Sequence, residues 1–317
     1  MIQRLFIFLF LLFSLPSLMA ADMPGIPEFI DEMVSKHAFN RDELVQVFKL
    51  AERRQSVIDS FSAPSTHKPW LEYRDSFVND NRISGGLQFW KANAEALQRA
   101  ENQYGVPREI IVALIGVETL YGSHTGKFST LDVLTTLAFD YPRRADFFRG
   151  ELEQFLLLTR EQGIDLTQVK GSYAGALGIP QFMPGSYRKY AVDFDGDSKI
   201  DLRHDPVDAI GSVANYFSQF GWKRGAPVTV RVKFNEDSRA LIPGKTLTMS
   251  EWAASGVKIE PEMADELRAR LMAFTITDGK EFWLAFDNFE VITRYNNSDY
   301  YAMVVFQLAQ ALREAHH

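Results

Sequence analysis

The sequence contains no cysteine. This absence excludes disulfides, zinc–thiolate sites, thiol catalysis and lipid attachment through a cysteine. Basic residues are also in deficit, with 34 Lys and Arg against 41 Asp and Glu and a formal net charge of −7. Nucleic-acid binders usually carry a basic face, so nucleic acid is not predicted as a partner. A neutral substrate recognised by hydrogen bonds and stacking fits this composition better than an anionic polymer.

Long apolar runs are scarce as well. Residues 5–13 are apolar, follow Arg4 and precede the small residues Ala20 and Ala21. A positive charge, a short apolar run and a small-residue end are typical of a secretory signal peptide. The alternative, an uncleaved membrane anchor, is less favoured because the run is too short to span a bilayer comfortably. We therefore expect a signal peptide over 1–21.

The rest of the chain is rich enough in apolar residues to build a buried core, with 46% hydrophobic and 13% aromatic residues overall. Helical periodicity predicts an N-terminal helical region over 22–100 and a helical core segment over 101–224. Strand-like alternation predicts a small α/β region over 225–287, and a final segment over 288–317 ends in a helix. The predicted fold class is mainly α, of the α+β type.

Glu118 ends an almost wholly apolar stretch that begins near Glu109. A helix that is apolar on all sides is buried in the centre of a protein. Burial disfavours the charged form of a carboxyl and raises its pKa, which suits a general acid that works near neutral pH. The alternative is a structural glutamate with a buried hydrogen-bonding partner.

A glycine-rich segment over 171–184 combines Ser172 and Gln181 with the flat faces of Tyr173 and Phe182. Such a mixture suits a sugar, which needs hydrogen bonds at its rim and stacking on its faces. A phosphate-binding loop is a weaker alternative because the Lys-Ser/Thr ending is missing. A purely structural loop is the other alternative.

An acidic loop begins at Asp193 and has the opening of an EF-hand calcium loop. Ser198 stands where such loops place glycine, and His204 stands where they place the late glutamate. We expect a structural Ca²⁺, with Na⁺ as the alternative ion, because all the donors are oxygens. The alternative is an acidic turn that is exposed to solvent and binds no metal ion. The expected ligands are Asp193, Asp195, Asp197, the carbonyl of Lys199 and a late carboxylate, for which Asp208 is preferred to Asp205.

A last cluster, over 288–302, again mixes aromatic and amide side chains and includes Tyr295 and Tyr301. Alone it is a weak indication, because aromatic runs are more often part of a core.

Taken together, these segments resemble the lytic murein transglycosylases of the B type. The resemblance runs from about residue 70 to residue 312. It is carried by several motifs in order, at 70–74, 116–122, 140–144, 171–184, 193–205, 205–217 and 294–296.

The resemblance implies a lysozyme-like core flanked by a helical domain and a small β-containing domain. It implies that Glu118 is the catalytic acid/base, that catalysis needs no cofactor and that the acidic loop holds a calcium-type ion. It also implies a periplasmic monomer whose partners are peptidoglycan glycan strands and other cell-wall enzymes. The chain departs from the family's membrane-anchored member because it has no cysteine to carry a lipid, so a soluble form is expected. The side chains expected along the glycan groove are Ser172, Gln181, Tyr216 and Tyr295, with Tyr73 and Tyr301 as further members.

The expected reaction is non-hydrolytic cleavage of the β-1,4 bond between N-acetylmuramic acid and N-acetylglucosamine, which leaves 1,6-anhydromuramic ends. One alternative is a muramidase that hydrolyses the same bond. The other is a peptidoglycan-binding scaffold that keeps the fold without catalysis.

Overall fold

The computed structural model describes residues 23–62, 68–234, 243–259 and 263–316. The predicted signal peptide over 1–21 lies outside the described residues. Within them, no helix is both long enough and apolar enough to cross a membrane.

Helices make up the first two thirds of the described chain. They are α1 (Ile26–His37), α2 (Arg41–Leu50), α3 (Gln55–Ser62), α4 (Trp70–Phe77), α5 (Asp80–Ala92), α6 (Ala94–Tyr104), α7 (Arg108–Thr119), α8 (Thr130–Asp140), α9 (Ala145–Gln162), α10 (Pro184–Tyr190) and α11 (Pro206–Gln219). Between them, β1 (Phe128–Ser129) pairs antiparallel with β2 (Lys170–Gly171).

A five-stranded antiparallel sheet follows, in the order β4-β6-β7-β3-β5. Its strands are β3 (Thr229–Phe234), β4 (Thr246–Thr248), β5 (Val257–Lys258), β6 (Arg268–Ile276) and β7 (Gly279–Ala285). The helices of this last third are α12 (Met249–Ala254), α13 (Asp287–Thr293) and α14 (Asp299–His316).

Two hydrophobic cores organise these elements. The main core extends from Met23 in the first helical segment to Leu312 near the end of α14. A smaller core lies in the sheet region and includes Trp252 and Leu271. The C-terminal helix α14 packs against α7, α5 and α4, so the last segment of the chain belongs to the main core.

Helix α7 lies at the centre because its sequence leaves it no polar face. Its residues from Ile110 to Val117 are all buried. The helix starts after Pro107 and ends at Thr119. It ends there because Leu120 and Tyr121 adopt left-handed φ angles of 50° and 59°.

Gly85 and Gly86 form a glycine pair of the kind that often interrupts a helix, yet the helix continues through them. Both glycines lie inside α5. The phenol ring of Tyr121 occupies the space where their side chains would stand, within 3.1 Å of an added Cβ at Gly85 and 2.5 Å at Gly86. The glycines therefore serve close packing and do not end the helix.

A buried hydrogen bond joins the helical part to the sheet. The indole N–H of Trp70 in α4 donates to Oε1 of Glu281 in β7 at 2.9 Å, and both side chains are buried. If Glu281 loses this donor, only the Arg231 guanidinium among the described groups, 3.5 Å from its other carboxylate oxygen, offsets its desolvation.

We predict that Trp70→Phe lowers the free energy of unfolding by about 2 kcal/mol, because the Glu281 carboxylate loses its donor. Trp283→Phe is the matched control, since the Trp283 indole N–H has no hydrogen-bond partner within the described residues. Urea denaturation of both variants measures the difference. An equal loss in the two variants would contradict this role for the Trp70–Glu281 bond.

Candidate active site

The carboxyl group of Glu118 lies at the C-terminal end of α7, where the residue is half-buried. Burial raises its pKa from 4.5 to about 7, against the opposing effect of a hydrogen bond from Tyr301. The group is therefore substantially protonated near neutral pH, as a general acid requires.

Three tyrosines surround this carboxyl. The hydroxyl of Tyr301 on α14 donates directly to Glu118 Oε1. Burial raises the pKa of Tyr301, Tyr295 and Tyr73, and the nearby charge of Glu118 raises all three further. The hydroxyls therefore stay protonated and act as neutral donors around the carboxyl.

The acidic groups that act on Glu118 bear on the kind of glycosidase chemistry available to the site. Within the described residues, the influences on the pKa of Glu118 are burial and the Tyr301 hydroxyl, and no other carboxylate is among them. Most glycosidases use two carboxylates, and substrate-assisted enzymes are an exception. The site therefore offers one carboxyl that can give and take a proton.

Three aromatic residues extend from the carboxyl in a row, Tyr301, Tyr295 and Tyr216, and together form an aromatic wall. The Tyr295 ring lies parallel to Tyr301, with 6.4 Å between centroids and 9° between planes. Its hydroxyl donates to the Pro180 carbonyl, which ties the wall to the glycine-rich segment. Tyr216 lies behind, where its ring is 4.9 Å from that of Tyr295 and its hydroxyl donates to the Arg294 carbonyl at 2.8 Å.

Tyr216, like Tyr301, is a buried member of the set of tyrosines expected in the groove. Its side chain is buried against Phe182 and Tyr295, and its hydroxyl is already paired. In this arrangement it supports the wall from behind.

The glycine-rich segment places Ser172 and Gln181 through tight turns. Gly178 has a φ of 71°, and a Cβ there would stand 2.2 Å from the Leu202 carbonyl oxygen, so only glycine fits. The Ser172 hydroxyl accepts from the amides of Ala174 and Ala176 at 3.2 and 3.0 Å. Among the described residues this hydroxyl donates to no acceptor, so its proton is available to a ligand.

The side-chain amide nitrogen of Gln181 donates two hydrogen bonds that fix the side chain. Its backbone is left-handed, with a φ of 54°, and Nε2 donates to the carbonyls of Thr125 and Gly178 at 3.0 and 2.8 Å. Because both donor positions of the amide nitrogen are engaged, the side-chain oxygen is the polar atom that remains. It can accept a hydrogen bond from a sugar hydroxyl or amide.

Sequence reasoning missed the part played by Thr119. Its hydroxyl donates to the Ile179 carbonyl at 2.8 Å and accepts from the Gly122 amide at 3.0 Å. This residue joins the turn that carries Glu118 to the glycine-rich segment. The signal was its place inside the 116–122 motif, next to the carboxyl.

Arg270 of β6 was also missed, because it lies far from Glu118 in the sequence. Its guanidinium donates to both carboxylate oxygens of Asp299 at 2.9 and 2.7 Å and to Glu290 at 2.8 Å. A bidentate ion pair of this kind fixes the relative orientation of the two side chains. It anchors the start of α14, two residues before Tyr301, to the sheet.

The acidic loop lies between α10 and α11 and brings its carboxylates together. One cluster contains Asp193, Asp195 and Asp197, and a second contains Asp195, Asp205 and Asp208, each with carboxylate oxygens within 4.8 Å of one another. Both possible late ligands, Asp205 and Asp208, thus lie beside Asp195.

Backbone bonds shape this loop. Asp193 accepts from the amides of Gly196 and Ser198 at 2.7 and 2.8 Å, and the Lys199 amide donates to Asp197 at 2.8 Å. Ser198 takes the left-handed φ, 72°, that a glycine would adopt more easily. The loop therefore reaches the required bend without glycine at that position.

Asp208 is the buried member of the second cluster. Its oxygens accept from the amides of Phe194 and Asp201 at 2.7 and 2.8 Å. Burial, aided by the charges of Asp205 and Asp195, raises its pKa. Carboxylates this close repel one another unless a cation lies among them, and an all-oxygen donor set fits Ca²⁺.

Comparison with known proteins matches residues 22–310 to the family described as the transglycosylase SLT domain. The membrane-bound lytic murein transglycosylase B of Escherichia coli (strain K12) is 45% identical over 304 residues, which cover 92% of this chain and 83% of that protein.

Two solved structures share the fold. The Escherichia coli lytic transglycosylase Slt35 in complex with calcium is 44% identical, with a TM-score of 0.88 and coverage of 93% of this chain and 94% of its own. SltB3 from Pseudomonas aeruginosa, in complex with NAG-anhNAM-pentapeptide, is 27% identical, with a TM-score of 0.82 and coverage of 91% and 78%.

These matches confirm the predicted mainly α fold with a lysozyme-like core and the resemblance on which the site residues were chosen. They span nearly the whole described chain, including α7, the glycine-rich segment and α14. The chain belongs to the lytic transglycosylase family, enzymes that cleave the glycan strands of peptidoglycan.

Proposed function

We propose that this enzyme cleaves the MurNAc–GlcNAc bond with Glu118 as its single acid/base catalyst and leaves 1,6-anhydromuramic ends. The observation that carries the proposal is the half-buried Glu118 carboxyl, which is bonded to the Tyr301 hydroxyl and has a pKa of about 7. No second carboxylate is among the described groups that act on this pKa. The anhydro sugar in the ligand of the SltB3 complex supports the same product type.

The chemistry follows from one protonatable group. Protonated Glu118 gives its proton to the glycosidic oxygen, and the bond from C1 of the muramic acid to that oxygen breaks. The acetamido oxygen of the substrate stabilises the positive C1 in place of a second carboxylate. Glu118, now a carboxylate, takes the proton of the C6 hydroxyl, whose oxygen bonds to C1 and closes the anhydro ring. Water is not consumed.

The proposed groove is lined by groups that are neutral at working pH. Ser172 offers a hydroxyl proton, Gln181 an amide oxygen, Tyr73 its ring and hydroxyl, and Tyr295 its ring. The buried Tyr301 acts through its bond to Glu118. These groups recognise an uncharged sugar by hydrogen bonds and stacking, while Tyr216 holds Tyr295 from behind.

A muramidase or an inactive scaffold would need different features. A muramidase with two carboxylates would need a second acidic group beside Glu118, and none is among the described groups that act on its pKa. A scaffold would have no use for a carboxyl that is kept protonated by burial at a cost in stability.

We predict that Glu118→Gln lowers activity by at least about 10³-fold, because the amide cannot transfer the proton. The measurement is digestion of purified peptidoglycan followed by mass spectrometry of the released fragments. Anhydro-muropeptides are expected from the wild type and not from the variant.

Glu109→Gln, on the same helix but paired with Arg313 at 3.8 Å, is the control and should retain activity. Hydrated reducing ends from the wild type would replace the transglycosylase proposal with a muramidase. Intact strands from both wild type and variant would favour the scaffold.

We predict that Tyr301→Phe shifts the basic limb of the pH profile of kcat to higher pH. The protonated form of Glu118 is the active acid, so activity falls as pH rises through its pKa of about 7. The Tyr301 hydroxyl lowers that pKa, and its removal therefore raises it. A limb that stays in place or moves to lower pH would contradict this role.

We propose that the acidic loop holds a structural Ca²⁺ through Asp193, Asp195, Asp197, the carbonyl of Lys199 and Asp208. The solved Slt35 structure is a calcium complex, which supports this choice over Na⁺. The ion would neutralise the carboxylates and fix the loop between α10 and α11. It has no part in the proton transfers of Glu118.

We predict that chelation with EGTA lowers the melting temperature, while activity at low temperature changes little. A Ca²⁺ concentration 100 times its Kd stabilises the folded state by about 2.7 kcal/mol. Asp193→Asn should weaken the response to added Ca²⁺ and leave any response to Na⁺ small. A melting temperature that is indifferent to Ca²⁺ in the wild type would rule the site out.

We propose a periplasmic location for the mature protein, on the basis of the charge and apolar pattern of residues 1–21. The Escherichia coli relative is named as membrane-bound. Monomeric state and association with other cell-wall enzymes remain predictions from the family resemblance.

A further inference from the structure

The turn that follows Glu118 carries unusual backbone strain. Leu120, Tyr121 and Gly122 adopt consecutive left-handed φ angles of 50°, 59° and 86°. Only glycine takes this conformation readily, so two of the three residues are strained and must be held by their surroundings. Strain of this kind next to a reactive group calls for a physical explanation.

The side-chain ring of Tyr121 is closely packed by the neighbouring helices. It lies in a slot between α5 and α7 whose walls are Gly85, Gly86 and Gly116. A Cβ added at Gly86 or Gly116 would stand 2.5 Å from the Tyr121 hydroxyl oxygen, and one at Gly85 would stand 3.1 Å from the ring. The slot exists because three positions on two helices lack side chains.

Two hydrogen bonds close the slot. The Tyr121 hydroxyl donates to the carbonyl of Arg82 in α5 at 2.7 Å. The guanidinium of Arg82 donates in turn to the Gly116 carbonyl in the last turn of α7. That carbonyl also accepts from the Leu120 amide at 3.1 Å, so the final turn of α7 is bonded from both sides.

We infer that Tyr121 is a positioning residue, whose seating between α5 and α7 fixes the last turn of α7 and with it the Glu118 carboxyl. Glu118 lies between the two anchored points, Gly116 and Tyr121. The inference rests on the proposed role of Glu118. An acid that also serves as base must meet two different oxygens, and misplacement by about 1 Å can cost about 100-fold in rate.

The test uses Tyr121→Phe and Tyr121→Leu, assayed on soluble, uncross-linked glycan strands. Tyr121→Phe keeps the ring and loses the bond to Arg82, and Tyr121→Leu empties most of the slot. We expect kcat to fall by about 10-fold and about 100-fold respectively, with KM little changed. We also expect the basic limb of the pH profile to move, because the Glu118 carboxyl shifts relative to the Tyr301 hydroxyl.

Gly116→Ala tests the slot from the opposite side, since the new methyl displaces the ring. Gly150→Ala on α9 is the matched control, because its Cβ would meet nothing within 4 Å. It should leave kcat and the pH profile unchanged. If Gly116 and Tyr121 act through one contact, the losses in kcat of Gly116→Ala and Tyr121→Leu should not add in the double variant.

Circular dichroism and melting temperature identify variants that fold. A folded Tyr121→Phe or Tyr121→Leu variant with wild-type kcat and pH profile would overturn the inference, as would a loss confined to KM. Glu118→Gln is assayed in parallel. Full activity in Glu118→Gln would refute the proposed function itself, whereas an inactive Glu118→Gln beside fully active Tyr121 variants would refute only the positioning role.

Discussion

Desolvation of the Glu118 carboxyl is the physical effect on which the rest of the structure depends. A carboxyl in water is ionised at neutral pH and cannot serve as an acid there. Helix α7 is apolar on every side before Glu118, so it holds the half-buried carboxyl at the edge of the main core, where desolvation raises its pKa. The tyrosine hydroxyl that meets the carboxyl partly offsets the penalty of burial and orients the group. In the proposed mechanism this one residue acts first as acid and then as base.

Elements distant in sequence converge to maintain this environment. The small sheet fixes the start of α14 through Arg270 and Asp299, and α14 carries Tyr301. The glycine-rich segment receives the Tyr295 hydroxyl at Pro180 and the Thr119 hydroxyl at Ile179, so the two sides of the site are bonded to each other. The strained turn after Glu118 is stabilised by its packing between α5 and α7. Stability and positioning are thus supplied by the same contacts.

Much of this could be predicted from local pattern. The central helix, the raised pKa of Glu118 and the acidic loop follow from apolar runs and the spacing of carboxylates, because these properties are local. The end of α7 and the role of Gly85 and Gly86 could not be predicted, since glycine breaks a helix or permits close packing according to what lies against it. Here that neighbour is Tyr121, 35 residues later than Gly86. The burial of Tyr216 likewise depends on rings contributed by distant segments.

The central claim is that burial keeps Glu118 protonated near neutral pH. Infrared difference spectroscopy of the wild type against Glu118→Gln isolates the C=O stretching band of this one protonated carboxyl. The account predicts that the band persists at pH 5 to 6 and disappears as pH rises through about 7. Disappearance of the band near 4.5, the ordinary value for a glutamate, would contradict the account.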